Sequence, residues 1–78
     1  MNRRIADTLK AKGLTQWRLL VTYGGPAGHE ETRELLPKRG RYWSYIGATR
    51  RAGAEWRAPP EGLWVIRTEY LAITEGEA

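Results

Sequence analysis

The first repeating signal along the chain has a helical period. Within residues 2–12, Ile5 and Leu9 stand four apart and share one helix face, and Asn2 is placed to cap the start. Lys10 and Lys12 complement the negative end of the helix dipole. Gly13 follows where a left-handed residue ends a helix, and Leu14 can then fold back on Leu9. From Gln16 the period changes to two. Trp17, Leu19, Val21 and Tyr23 point one way and Gln16, Arg18, Leu20 and Thr22 the other, which predicts a strand over 16–24 with one buried face. The run Gly24-Gly25-Pro26-Ala27-Gly28 is a turn by composition. Residues 29–36 alternate too, but with charge on both faces. They read as a weak strand at a sheet edge, or as a short helix, and Pro37 ends either one.

The break Pro59-Pro60-Glu61-Gly62 precedes the strongest strand pattern, residues 63–73. Trp64, Ile66, Tyr70 and Ala72 take one face, and Leu63, Val65, Leu71 and Ile73 make the other apolar as well. A strand apolar on both faces is expected at the centre of its sheet. The acidic tail at 74–78 is expected to fray. Residues 41–57 fit two readings. As two strands, Tyr42–Thr49 and Ala54–Arg57 would flank a turn at Arg51-Ala52-Gly53. As a helix near 44–57, Tyr45, Ala48, Ala52 and Trp56 line one face, although Gly47 and Gly53 each weaken it by about 1 kcal/mol. The helix is preferred, because strand–helix–strand builds two layers able to bury the four tryptophans. The predicted fold is a small α+β domain spanning 1–78. An antiparallel sheet of 16–24, 29–36 and 63–73 carries an N-terminal helix and a second helix near 44–57, with a small β-barrel bearing one helix as the alternative.

Composition narrows what such a domain can do. A chain of 78 residues holds one small core, so most of its side chains must serve folding. The absence of cysteine excludes a disulfide framework and a thiolate zinc site, and points to a reducing compartment. No apolar run approaches the roughly 18–20 residues of a membrane span, and Met1–Gly13 lacks the apolar core of a signal peptide. The expected setting is therefore inside the cell and in solution, away from any membrane. Net charge is +4, and ten of the 13 cations are Arg. Residues 33–57 carry seven cations against two acids, whereas 58–78 carry one against four. Such a block attracts nucleic acid or another anionic surface.

Catalytic inventory is thin. Ser44, His29 and Asp7 are each the sole residue of their kind, and no nucleophile elbow surrounds Ser44. The stretch HEETR at 29–33 resembles the zinc-protease HExxH, but Arg33 stands where the second histidine ligand belongs. No catalytic residue, cofactor or metal is expected. Tyr45-Ile46-Gly47-Ala48-Thr49 resembles the second half of the GIY-YIG nuclease signature, with Arg57 about where that family places a catalytic arginine. It has no upstream GIY, and packing of Tyr45 and Ile46 beside a small glycine explains the same residues. Ile5, Gly13-Leu14, Thr15-Gln16, Leu19 and Gly24 match the spacing of a phage-repressor helix-turn-helix. Its recognition helix would be 26–36, where Glu30, Glu31 and Glu34 would face phosphate.

What remains is arginine interleaved with aromatics: Lys38, Arg39, Arg41, Tyr42, Trp43, Tyr45, Arg50, Arg51, Trp56 and Arg57. These residue types bind phosphate and stack bases, and they also dominate protein interfaces. The expected binding residues are Lys38, Arg39, Arg41, Tyr42, Trp43, Arg50, Arg51 and Arg57. In size, missing catalytic inventory and sheet-plus-helix layout the chain resembles anti-CRISPR proteins, the small phage-encoded inhibitors of host machinery. That resemblance implies a non-enzymatic inhibitor, in the cytoplasm of a bacterial host, whose basic and aromatic surface docks on the anionic surface of a larger protein or nucleoprotein complex and blocks it sterically. The alternative is a small regulator using the same block to bind DNA or RNA directly.

Overall fold

The computed structural model describes residues 8, 9 and 12–73. Their elements are β1 (Trp17–Gly24), β2 (Glu30–Leu35), α1 (Tyr45–Arg57) and β3 (Trp64–Ala72), with one 3-10 turn at Pro26–Gly28. The strands form an antiparallel sheet in the order β2-β1-β3, and α1 packs on β1 and β3. The α+β class, the three strands and the helix over the ambiguous stretch are as expected; the β-barrel alternative is not adopted. Most of the expected helix at 2–12 and all of the tail at 74–78 lie outside the described residues. The helix stop does fall within them. Thr8 and Leu9 are helical, Gly13 takes φ +79°, and the Leu14 N–H donates to the Leu9 carbonyl at 2.9 Å. That bond is the six-residue closure of a glycine-terminated helix.

The period-two pattern of β1 sets the interior. Trp17, Leu19, Val21 and Tyr23 are all buried and face α1, which answers with Ala48 and Ala52. Two alanines at the contact let the helix lie close to the sheet. Ser44 starts the helix, its Oγ accepting the Gly47 N–H at 3.0 Å.

Three expectations need correction. The central strand is β1, not β3. The short turn after β1 makes β1 and β2 a hairpin, and the chain then crosses through α1 to add β3 on the far side of β1. The face assignment of β3 also fails, because the register shifts: Thr22 pairs with Arg67 but Tyr23 with Val65, leaving Ile66 as an extra residue. Val65 therefore shares the α1-facing side with Thr68, Tyr70 and Ala72, while Trp64 and Ile66 turn away from the helix and stand 53% and 41% exposed. The tryptophans, finally, are not a buried quartet. Only Trp17 is buried; Trp43 is half-buried, and Trp56 is half-exposed because the neighbouring Glu55 takes the interior position.

Candidate anion-binding surface

The connection from β2 to α1 carries the first part of the cationic block. Trp43 closes it. Its backbone exchanges two hydrogen bonds with Trp17, both 2.8 Å, and its indole Nε1 donates to the Leu35 carbonyl at 2.7 Å. Trp43 thus holds the loop to the sheet and packs on the core, leaving little of it free to stack a ligand. Between these anchors Lys38, Arg39 and Arg41 are exposed, and the Arg41 guanidinium lies over the Tyr42 ring at 5.6 Å. Arg41 and Tyr42 border a groove with Leu36, Ile73 and the Arg18–Glu34 pair.

The second part lies on α1. Arg50 and Arg57 are two turns apart, about 10 Å along the axis, on the side opposite Ala48 and Ala52. With Thr49 and Gly53 they line a shallow groove. A Cβ at Gly53 would meet only Arg57 Nη1, at 4.0 Å, so nothing in the fold demands glycine there.

Pairing sorts the cations into two sets. Arg18 bonds Glu34 at 2.7 Å, Arg33 bonds Glu31 at 2.5 Å, Arg51 bonds Glu55 at 2.8 Å, and Arg67 lies near Glu30 and Glu69. Lys38, Arg39, Arg41, Arg50 and Arg57 pair with no carboxylate among the described residues. Of the eight expected binding residues, the structure joins Arg50 with Arg57 in one groove and Arg41 with Tyr42 in another, while Trp43 and Arg51 are held by the fold.

Arg51 joins a network built on the buried Tyr23 and Glu55. The Tyr23 hydroxyl donates to Glu55, whose other oxygen accepts from Arg51, and Arg33 sits over the Tyr23 ring at 5.1 Å. Burial, then the adjoining Glu55 carboxylate, pushes Tyr23 up to about 12. Burial also pushes Glu55 up, but the bonds from Tyr23 and Arg51 outweigh it and its carboxyl ends below the usual range. The i,i+4 spacing of Arg51 and Glu55 was a legible sign of this commitment; the non-local Tyr23 was not.

The residues of the alternative motifs have other duties. Ser44 caps α1 beside the start of β1, while His29 lies past its far end, roughly 23 Å away by strand rise, bonded to Glu31 at 2.8 Å. Asp7 is outside the described residues. Tyr45 packs between Trp17 and Tyr70, ring centroids 5.2 and 5.9 Å away. A Cβ at Gly47 would press on Ser44 Oγ at 3.0 Å, so YIGAT is the crowded first turns of a helix. The helix-turn-helix reading fails outright, since its second and third elements are β1 and β2. Among the described residues, no three His, Cys, Asp or Glu side chains gather where they could hold a metal, and no helix is long and apolar enough to cross a membrane. Comparison of the chain with protein families, with curated proteins and with solved structures finds no match.

Proposed function

We propose that this protein is a non-enzymatic inhibitor of the anti-CRISPR kind, which docks on a host nucleoprotein machine and blocks it sterically. The observation that carries the reading is the sorting of cations. Arginines of the sheet are neutralised within the fold, whereas Lys38, Arg39, Arg41, Arg50 and Arg57 pair with no carboxylate among the described residues. Five like charges within twenty residues repel one another, and an anionic partner relieves that repulsion. Aromatics beside them, the half-buried Tyr42 and the exposed Trp56, supply anchors of the type that dominate interfaces.

A second reading, direct nucleic-acid binding, draws on Gly53. Its bare backbone between Arg50 and Arg57 leaves room for a sugar-phosphate chain to approach α1 closely. The two readings separate in one experiment. An inhibitor co-purifies with an assembled CRISPR effector complex and halts its DNA cleavage, and gel shifts on bare mixed-sequence DNA and RNA at low salt are blank. A nucleic-acid binder shifts the bare strands, with affinity falling on duplex DNA by about 0.9 log unit per phosphate contact for each log unit of salt. Arg50→Gln with Arg57→Gln is expected to weaken whichever binding occurs at least tenfold. Full binding by that double variant removes α1 from the site.

A further inference from the structure

Among the described residues β3 leaves one edge of the sheet open, and its sequence carries a symmetry that the monomer does not use. From Thr68 outward, the strand runs Arg67, Ile66, Val65, Trp64 in one direction and Glu69, Tyr70, Leu71, Ala72 in the other. Opposite charges flank the centre, and three apolar residues follow on each side. The β2 edge is different. Four of its six residues, Glu30, Glu31, Arg33 and Glu34, are charged, which guards an edge against pairing.

Uncovered apolar surface gathers along β3. Of the large hydrophobic side chains that stand exposed, Trp64, Ile66 and Leu71 belong to this strand. Trp56, also exposed, follows Tyr45 by eleven residues and so lies three turns along the same side of α1. That side is the one turned to β3, where Tyr45 meets Tyr70. The charges of β3 are loosely held. Arg67 is 3.5 Å from Glu69 and 3.7 Å from Glu30, against 2.7 and 2.5 Å in the Arg18–Glu34 and Arg33–Glu31 pairs.

We propose that the protein forms a two-fold dimer in which β3 pairs antiparallel with β3 of a second copy, centred on Thr68. The result is a six-stranded sheet with both helices on one face. Arg67 of each copy then faces Glu69 of the other; the extra residue Ile66 shares that position, so Val65 meets Tyr70 on the helix side and Trp64 meets Leu71 on the outer face. Centring on Glu69 would oppose glutamates, and centring on Arg67 would oppose arginines, so charge selects this register. The backbone agrees. The Ile73 N–H bonds Gln16 on the β1 side, so by alternation Thr68, Tyr70 and Ala72 aim their N–H and C=O groups at the open edge. The extra residue at Ile66 contributes as well, for it sets Trp64 on the outer face, where it lies opposite Leu71 of the second copy.

Light scattering and sedimentation of the full chain test this. The native protein is expected at twice its monomer mass, dissociating on dilution. Arg67→Glu or Glu69→Arg alone sets like charges against each other across the axis and is expected to leave a monomer. The two reversals together restore opposite pairs and the dimer, with circular dichroism verifying the fold of each variant. A native monomer at its highest soluble concentration overturns the proposal. So does a dimer that survives either single reversal, or one that the double reversal does not restore.

Discussion

Tyr23 is wholly buried, yet its hydroxyl ends on a carboxylate. A buried acceptor that loses one donor keeps its desolvation penalty, so Tyr23→Phe is expected to cost about 2 kcal/mol by chemical denaturation at pH 7. The pH profile gives the sign independently. Glu55 lies below its ordinary value in the folded chain, so its contribution is complete above the unfolded value of about 4.3 and is lost as pH falls through the folded one. Tyr23 is raised to about 12, so its contribution holds below its ordinary value near 10 and is lost as pH climbs from there. Tyr23→Phe should abolish the alkaline loss and shrink the acid one. Some acid sensitivity persists, because Arg33, then His29, holds Glu31 down to about 2, and Arg18 lowers Glu34.

Among the elements, α1 was legible in outline. Small residues at the 48 and 52 positions marked its inner face and Ser44 its start, but the period did not tell that Glu55 rather than Trp56 would turn inward. β1 and the charged edge of β2 were equally readable, since alternation and charge act locally. β3 was not, because a single extra residue at Ile66 reverses every later side chain without changing composition. Its place in the sheet was hidden for the same reason: apolar residues on both faces signal burial only when the register is regular. The exposed side of α1 offers a clean test of helix energetics. Gly53→Ala meets only the flexible tip of Arg57 at 4.0 Å and should stabilise the protein by about 1 kcal/mol, a rise of about 4–8 °C in Tm for a domain of this size.

Over the whole molecule, charge is divided by role. Sheet arginines sit in ion pairs, and among the described residues the outward cations of the loop and α1 touch no carboxylate. Arg50→Gln with Arg57→Gln should therefore change unfolding free energy by less than about 1 kcal/mol, chiefly through the favourable place of Arg57 at the helix end. Thermal denaturation measures this directly and separates loss of binding from loss of structure. The candidate surface was readable as a cluster of residue types; which cations stay outward was not, since that depends on partners contributed by other strands. The clasp made by Trp43 on Trp17 and Leu35 has a last consequence. It makes residues 36–42 a tethered arch that can be lengthened or recharged while the body beneath keeps its hydrogen bonds, because doubling such an arch costs only about 0.6 kcal/mol in closure entropy. Under the proposed function, target preference is open to rewriting there by insertion, with folding left to the sheet and helix.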